Sequence, residues 1–426
     1  MVGSPLVIAE QARARLNAVL SAMRDGKPAT VDGPAALNHF PALADLVVTP
    51  CEVNELHGTG TLLLRMFPDS SSVISLRTSN FYNGQQEFGA AQLCLPLAQA
   101  AAPEISSWLK WYLAGASIRR IMCLPYIPAD AVVTIALKDM FGVPVCTYIM
   151  DDKNVCANGI SDALMNDLLA KSDLRLVISP EMRDAYEQKY RMKFWVVPPL
   201  VPGKLIPTRP VTFPREADPR RGVLLGNIWG QRWLDLLRRT FRDSGFEVDW
   251  YCNHKDPKSL AFDRTEMERD GIYLRHPVDE RDLPAVLSQY AYGVVPSDTL
   301  DGASPPAVQA IAELSLPSRI PTMIATSHLP LVVLGHPKTS AAGFVKRFEL
   351  GEIAPYETGA MKGAVERLLR PDVQSAIRGR AADVARRLNS DGIADWIWRS
   401  LTAGRPCDLR FEDLMPSLNG SHAHGE

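Results

Sequence analysis

The sequence predicts an α/β protein of two doubly wound domains that face a central cleft. Short apolar runs alternate with helical patterns along most of the 426 residues, as parallel sheets covered on both faces require. A segment with seven prolines between Pro198 and Pro219 divides this alternation into two halves. Each half contains a strand that passes through glycine into a helix. A chain of this length normally forms more than one domain.

The first domain is predicted to span residues 1–200 and to begin with an amphipathic helix over 1–25. Its other helices are expected at 60–67, 88–100, 129–141, 161–171 and 181–190. Its strands are expected at Leu46–Val48, Ser72–Leu76, Ile118–Leu124, Val143–Met150, Leu174–Ile178 and Phe194–Val197. Right-handed crossovers would join these strands into one parallel sheet.

Residues 201–220 are interpreted as an interdomain linker, because proline fixes φ and cannot donate a backbone hydrogen bond. The second domain, 221–390, is predicted to contain strands at 222–226, 247–251, 271–275, 292–296 and 330–334. Its helices are expected at 231–243, 281–289, 307–315, 318–326, 339–349 and 358–388. A short helix with Trp396 and Trp398 over 391–404 and a tail over 405–426 complete the chain.

Charge and composition exclude several classes of function. The formal net charge of −2 argues against a dedicated nucleic-acid binder, which normally carries a strong basic excess. No apolar run approaches the ~18 residues that span a bilayer, and charged residues near the N-terminus argue against a signal peptide. We therefore expect a cytoplasmic protein. The seven cysteines form no Cys-x-x-Cys pair and the eight histidines show no zinc-type spacing, so no bound metal is expected.

The second domain opens on an anion-binding pattern. Gly226, Asn227, Trp229 and Gly230 connect the apolar run at 223–225 to a helix that begins near Arg232. A strand that turns on glycine into a helix leaves backbone N–H groups unpaired at the helix start, where they can hold an anion. The arginine would add a bidentate grip on phosphate. The alternative is an ordinary strand–helix turn with a solvated arginine.

Two further helix starts in this domain carry small hydroxyl residues. Ser318 and Arg319 follow Leu316-Pro317, and Thr339 with Ser340 opens the helix after the strand at 330–334. Each hydroxyl is a credible N-cap. Capping alone explains the second pair equally well, whereas the adjacent arginine favours an anion site at the first.

The first domain carries its candidate chemistry at two strand ends. His57, Gly58, Thr59 and Gly60 form a loop after the first strand, and Asp151-Asp152 follows Tyr148-Ile149-Met150. Ligands bind beyond the carboxyl ends of strands in such sheets. The glycines would admit a ligand close to the backbone, and one of the paired carboxylates could accept a proton from a hydroxyl. Capping of a turn by His57 and Asx capping by the aspartates are the alternatives.

In this order, the motifs resemble those of GT-B-fold glycosyltransferases, particularly the bacterial glycosyltransferase family 4 type, from about residue 45 to 400. Family members carry an arginine after the strand and a lysine five positions later, where this chain has Asn227 and Arg232. Their Pro-Ser-Lys segment corresponds to Pro317-Ser318-Arg319. Their pair of glutamates eight residues apart is not clearly present, since Glu313 is the only acid between Asp301 and Glu349.

The resemblance implies a metal-independent, configuration-retaining transfer of a sugar from a nucleotide-sugar donor, with no other cofactor. The second domain would hold the donor at Gly226, Asn227, Trp229, Gly230, Arg232, Ser318, Arg319, Thr339 and Ser340. The first domain would hold a glycan, lipid-linked or small-molecule hydroxyl acceptor, with His57, Asp151 and Asp152 as catalytic candidates. The helix at 391–404 would cross back onto the first domain.

Two other functions are compatible with the sequence. A nucleotide-sugar 2-epimerase shares the architecture but uses several acids and histidines in the cleft, and this chain's second half has few. A catalytically degenerate binding subunit would fit the missing glutamate and Asn227. Peripheral contact with a membrane is also possible, because Trp108, Trp111 and Tyr112 precede two arginines, Arg119 and Arg120. Core packing of that aromatic stripe is the alternative.

Overall fold

The computed structural model describes residues 40–82, 86–95, 102–212, 218–252 and 260–416. The predicted N-terminal helix over 1–25 and the end of the predicted tail lie outside these residues. Within them, no helix combines the length and the apolar character needed to cross a membrane. The fold consists of two wholly parallel sheets, each covered by helices.

The first sheet has seven strands in the order β3-β2-β1-β4-β5-β6-β7. The strands are β1 (Ala44–Thr49), β2 (Val73–Arg77), β3 (Ala91–Cys94), β4 (Ile118–Cys123), β5 (Val145–Ile149), β6 (Leu174–Val177) and β7 (Trp195–Val196). Its helices are α1 (Gly58–Met66), α2 (Ala102–Tyr112), α3 (Pro128–Phe141), α4 (Asp162–Lys171) and α5 (Pro180–Tyr190). Strands β1 and β5 are buried along their whole length, which explains why their sequences are nearly continuous apolar runs.

The second sheet has six strands in the order β10-β9-β8-β11-β12-β13. The strands are β8 (Arg221–Leu225), β9 (Glu247–Tyr251), β10 (Ile272–Arg275), β11 (Gly293–Pro296), β12 (Leu331–Leu334) and β13 (Gly351–Ala354). The helices are α6 (Gln231–Phe241), α7 (Arg264–Arg269), α8 (Leu283–Leu287), α9 (Pro306–Leu314), α10 (Arg319–Ser327), α11 (Ser340–Arg347), α12 (Thr358–Leu368), α13 (Pro371–Arg387), α14 (Ile393–Ala403) and α15 (Arg410–Leu414). The predicted fold class of two doubly wound domains is confirmed.

Helices α2 and α7 were not predicted, and three other regions also differ from the prediction. The region expected to be a helix at 88–100 contains β3, in which Ala91 and Leu93 are buried while Gln92 is exposed, a period of two that marks a strand. Strand β13 was not predicted. The long helix expected at 358–388 is two helices, because Pro371 begins α13 and cannot continue the preceding helix.

The proline-rich segment is partly packed. Val201 exchanges backbone hydrogen bonds with Leu388 and Ser390, each at 2.9 Å, and Leu205 is buried. Arg65 of α1 forms an ion pair with Glu280 of the second domain and donates to the Leu200 carbonyl at 3.0 Å. These contacts join the two domains on the side where the chain crosses between them. The predicted boundaries of the domains and the linker stay predictions.

The C-terminal residues lie against the first domain. In α14, the Trp398 ring lies 5.6 Å from that of Phe67 and 4.3 Å from the Arg120 guanidinium. In α15, Phe411 is buried, and the Glu412 carboxylate accepts the Val196 N–H of β7 at 2.7 Å. Within the predicted tail, the apolar residues at 411, 414 and 415 are buried.

The aromatic and basic residues considered for membrane contact have partners within the fold. Arg119 and Arg120 both form ion pairs with the buried Asp45 of β1. Trp108 and Tyr112 are half-buried and pack against the core of the first sheet. The two arginines are therefore not a free basic patch beside the aromatic residues, which favours the core-packing alternative.

Candidate active site

The candidate site lies where the strand order reverses in both sheets. Strand β1 lies between β2 and β4, and β8 lies between β9 and β11. In doubly wound sheets, the ligand crevice forms at the point where the strand order reverses in this way. The loops after these strands contain most of the residues singled out from the sequence. The loop after β1 meets the segment between α9 and α10 of the second domain, because a Cβ placed on Gly58 would lie 3.3 Å from Ser318 Oγ.

The loop after β8 uses glycine for two backbone conformations. Gly226 has φ +74° and Gly230 has φ +95°, values that side-chain-bearing residues rarely adopt. The Gly226 N–H donates to the Tyr251 carbonyl at 2.8 Å, and its carbonyl accepts from Trp250 Nε1 at 2.7 Å. Trp229, at the tip, is 45% exposed. Helix α6 starts after Gly230 and, among the described residues, receives no side-chain cap.

Arg319 lies beside this loop. Its Nη2 donates to the Asn227 carbonyl and lies 3.9 Å from the position of a Cβ on Gly226. Its Nη1 is buried and has no hydrogen-bond partner among the described residues. Burial lowers the pKa of the guanidinium to about 10, so the group stays cationic at neutral pH. A buried cation with an unused donor costs free energy unless an anion joins it.

Helix α10, which Arg319 begins, also starts without a side-chain cap among the described residues. Ser318 has helical φ and ψ of −58° and −23°, and its hydroxyl does not cap the helix, contrary to the expected N-cap role. The two uncapped helices therefore start on either side of one guanidinium. The N–H groups at the start of α6 and the arginine charge can together hold an anion, whereas in the first turn of α10 the Ile320 N–H donates to the Pro317 carbonyl and Pro321 has no N–H.

Arg232 is paired within the second domain. Its Nη2 lies 2.5 Å from Asp301 Oδ2, and its Nη1 donates to Thr299 at 2.8 Å and to Ser304 at 3.4 Å. All three partners belong to the loop between β11 and α9. The guanidinium therefore holds that loop against α6 and is not a free cation at the helix start.

Thr339 and Ser340 do not join this anion site. The Thr339 hydroxyl accepts the Ala342 N–H at 3.3 Å and caps α11 itself. The Ser340 hydroxyl donates to Glu181 of α5 at 3.2 Å, across the domain contact. Both residues are about 1% exposed. The capping alternative is correct for Thr339, and Ser340 contributes to the docking of the two domains.

On the first domain, both ring nitrogens of His57 form hydrogen bonds within its own loop. Its Nε2 donates to the Glu52 carbonyl at 2.7 Å, and its Nδ1 accepts the Gly60 N–H at 3.3 Å, which caps α1. The ring stacks on Tyr82 with a centroid distance of 4.8 Å, and burial lowers its pKa. A neutral imidazole with both nitrogens engaged supports the capping interpretation rather than catalysis. Gly60 is required here, because a Cβ would lie 2.2 Å from the Asn54 carbonyl oxygen.

The two aspartates have separate roles. Asp152 is fully buried and accepts hydrogen bonds from four backbone N–H groups and the Tyr186 hydroxyl, at 2.8–3.1 Å. It organises the loop that follows and has no capacity left for a substrate, so the Asx-capping alternative describes it. Asp151 is half-buried at the cleft. Burial raises the pKa of Asp151, although the nearby Lys153 ammonium and the Ser315 and Tyr126 hydroxyls lower it.

Tyr126 is a site residue that the sequence analysis missed. It follows β4, and its hydroxyl lies 2.6 Å from Thr59 Oγ1 in α1 and beside the Asp151 carboxyl. Its backbone N–H donates to the buried Asp130 at 2.9 Å. The one available signal is its position at the end of the strand next to β1, where ligand-binding side chains collect. Thr59, Tyr126 and Asp151 thus form one polar cluster.

Across the described ranges, no three histidine, cysteine or acidic side chains are grouped so that they could hold a metal ion.

Comparison with known proteins yields structural neighbours only. No family model matches the chain, and a search of curated proteins finds no matching sequence. Anabaena HepE (Alr3699) in complex with UDP is similar with a TM-score of 0.57, 11% identity and coverage of 84% of this chain and 100% of that chain. The trehalose-6-phosphate synthase of Burkholderia multivorans is similar with a TM-score of 0.55 and 13% identity, and the match covers 86% of this chain and 97% of that chain. The trehalose-6-phosphate synthase OtsA is similar with a TM-score of 0.56 and 10% identity, and the match covers 84% of this chain and 99% of that chain. At such identities the similarity concerns the fold, and the chain has the two-domain GT-B fold of these glycosyltransferases.

Proposed function

We propose that the protein is a glycosyltransferase that moves a sugar from a nucleotide-sugar donor to a hydroxyl acceptor. The observation that carries this proposal is the Arg319 guanidinium, which has an unpartnered buried nitrogen and lies between two uncapped helix starts. A diphosphate supplies the charge and the acceptor oxygens that this arrangement lacks. The fold neighbour HepE binds UDP and UDP-glucose, which makes a nucleoside diphosphate the ligand to test first.

The donor would bind on the second domain, with its diphosphate at Arg319 and the loop after β8. As the bond between the anomeric carbon and the diphosphate oxygen breaks, the electron pair leaves with the diphosphate and its negative charge increases. The guanidinium and the N–H groups at the start of α6 would face that charge, and such preorganised groups stabilise a transition state. The reaction we propose needs no metal ion. Trp229, exposed at the tip of the same loop, would cover the donor.

The acceptor would bind on the first domain, next to Asp151. Its hydroxyl oxygen forms the new bond to the anomeric carbon, and its proton passes to the Asp151 carboxylate. The raised pKa of Asp151 makes it a better proton acceptor than an exposed aspartate. We expect retention of the anomeric configuration, as the family 4 resemblance implies. The anomeric proton coupling in the NMR spectrum of the product reports the configuration.

Binding of UDP and UDP-sugars to wild type and Arg319→Ala tests the donor site by calorimetry and thermal shift. A ligand at 100 times its Kd raises stability by about 2.7 kcal/mol, which a thermal shift detects. We expect Arg319→Ala to weaken UDP binding at least ~10-fold, because a charge-assisted hydrogen bond contributes ~1.5–3 kcal/mol, and Arg319→Lys to recover part of it.

Arg264→Ala is the matched control, since Arg264 is 66% exposed in a surface ion pair. Equal UDP affinity in wild type and Arg319→Ala would overturn the donor site. Product analysis with donor alone and with donor plus acceptor then separates transfer from epimerisation.

A further inference from the structure

Arg65 of α1 contacts two segments of the second domain and the segment where the chain leaves the first domain. Its Nη1 donates to the Leu200 carbonyl at 3.0 Å and to the Thr322 hydroxyl of α10 at 3.2 Å. Its Nε donates to the Glu280 carboxylate, between β10 and α8. The Arg65 side chain is 4% exposed, and a buried guanidinium needs partners of this kind to offset the loss of water. The two domains are therefore joined through one buried cation.

Helices α1 and α10 meet across the domain boundary at Arg65 as well as at their starts. Arg65 lies seven residues after Gly58, which places both on the same face of α1, two turns apart. Thr322 lies four residues after Ser318, one turn along α10. At the helix starts, a Cβ on Gly58 would lie 3.3 Å from Ser318 Oγ, and further along Arg65 reaches Thr322. One contact would leave the angle between the helices free, whereas two contacts fix both their separation and their angle.

The starts of these two helices carry groups of both halves of the candidate site. Thr59, next to Gly58, has its hydroxyl 2.6 Å from that of Tyr126 in the polar cluster of the first domain. Arg319, next to Ser318, has the unpartnered buried nitrogen of the second domain. The separation of the polar cluster from the Arg319 guanidinium therefore depends on how α1 lies against α10.

We propose that Arg65 is a positioning residue for sugar transfer, which fixes the separation and the angle between the helix starts that carry Thr59 and Arg319. This inference rests on the proposed function, because it places the acceptor at the polar cluster and the donor diphosphate at Arg319. Arg65 lies two turns from the start of α1 and would touch neither substrate. Reacting atoms must come within ~3–3.5 Å of each other, so a shift of α1 against α10 lowers the rate. The donor site stays unchanged, because the second domain supplies it alone.

The first test separates donor affinity from turnover. Thr322→Val removes the hydroxyl that Arg65 contacts and keeps the side-chain volume, and Arg65→Lys keeps a cation beside Glu280 but cannot reach all three partners at once. We expect each variant to lower kcat at least ~10-fold, because misplacement of reacting groups by ~1 Å costs ~100-fold. UDP affinity measured by calorimetry should equal that of wild type. Thr322→Ser keeps the hydroxyl and should restore kcat.

Thr326→Val is the matched control for Thr322→Val. Thr326 is also buried in α10, but its hydroxyl donates to the Thr322 carbonyl at 2.8 Å within the helix and not to the first domain. We expect wild-type kcat and UDP affinity in this variant.

The second test needs no turnover. In Gly58→Cys combined with Ser318→Cys, the two new thiols lie where the helix starts meet, at a separation that suits a disulfide. The equilibrium constant for this disulfide in a glutathione buffer measures how well the starts are aligned. Adding Arg65→Met, which removes all three contacts, should lower the constant at least ~10-fold, the order set by one hydrogen bond to a charged group. Mass spectrometry of the joined peptides distinguishes this disulfide from any formed by the native cysteines.

Normal kcat in both Thr322→Val and Arg65→Lys, or an unchanged disulfide equilibrium in Arg65→Met, would overturn the positioning role. Should Arg65→Met fail to fold, the disulfide equilibrium in Thr322→Val decides in its place. Equal losses of kcat in Thr322→Val and Thr326→Val would also overturn the role, because any change within α10 would then suffice. If no sugar is transferred and the disulfide equilibrium still shifts in Arg65→Met, the proposed function fails while the placement of the helices by Arg65 stands.

Discussion

Gly58 at the start of α1 and Ser318 before α10 face each other across the cleft, with 3.3 Å between the position of a Cβ on Gly58 and Ser318 Oγ. Gly58 follows β1 at the reversal point of the first sheet, and Ser318 lies between α9 and α10 of the second domain. The helix start that carries Thr59 and the helix start that carries Arg319 are thereby brought to one place. Any side chain at Gly58 would enter the space through which the two domains approach.

Replacement of Gly58 by valine should hold the domains apart. A single methyl group at Gly58 requires Ser318 Oγ to move by a few tenths of an ångström. A change of the serine rotamer allows this movement, so Gly58→Ala should have only a small effect on kcat. The two branches of valine do not fit, and misplacement of reacting groups by ~1 Å costs ~100-fold in rate. We expect kcat to fall by about that factor in Gly58→Val while UDP affinity changes little. Gly359→Val, at an exposed helix start with no atom near its Cβ position, is the control. Normal turnover in Gly58→Val would contradict close approach of the domains in catalysis.

Arg232→Ala should reduce turnover less than Arg319→Ala. Arg232 is held by Asp301, Thr299 and Ser304, so its removal frees a loop but leaves the anion site intact. Asp301→Asn removes the ion pair and should resemble Arg232→Ala in kcat and in KM for the donor. Steady-state kinetics of the three variants decide the matter. A larger kcat loss in Arg232→Ala than in Arg319→Ala would return Arg232 to the phosphate, as the sequence motif implied.

Asp151→Asn and Asp152→Asn should fail in different ways. Asp151→Asn removes the proposed base and should lower kcat by ~100-fold or more with little change in thermal stability. Asp152→Asn directs an amide NH₂ at backbone N–H groups that the carboxylate now satisfies, and each unsatisfied buried group costs ~1–3 kcal/mol. We expect a clear loss of stability in urea unfolding for Asp152→Asn. Normal turnover in Asp151→Asn would show that Asp151 is not the base that accepts the proton of the acceptor hydroxyl.

Asp130 should give the folded state a measurable pH dependence. It is fully buried, and burial raises its pKa from 3.8 to about 6. The folded protein therefore keeps this proton between about pH 4 and 6, where the unfolded chain has lost it. The contribution to stability falls as pH rises through that window, by about 3 kcal/mol at most.

Urea unfolding at pH 4 to 7 measures this effect. The stability of Asp130→Asn relative to wild type should improve steadily from pH 4 to 6 and then level off, because asparagine does not titrate. Parallel stability curves for the two proteins would show that Asp130 does not titrate in this range.

Much of the fold could be predicted from the chain alone. Buried parallel strands require nearly continuous apolar runs, so β1, β4, β5 and β12 were located from composition. Strand β3 was misassigned because its few apolar residues suit a short helix as well as a strand, and its pairing with β2 decides between them. The break at Pro371 was visible in the sequence, but the periodic pattern around it outweighed the proline in the prediction.

The sequence by itself determined which residue types stand at the strand ends: glycines that admit a ligand, arginines at helix starts and carboxylates after β5. Only the tertiary structure decided which of these groups remain available. His57, Asp152 and Thr339 have their hydrogen-bonding capacity filled by protein partners and Arg232 is ion-paired with Asp301, whereas Arg319 keeps an unused donor and Asp151 faces the cleft. The physical reason is that a donor or acceptor is no longer available to a ligand once the fold brings a protein partner within about 3 Å of it. For Arg232 that partner, Asp301, lies 69 residues away in the chain.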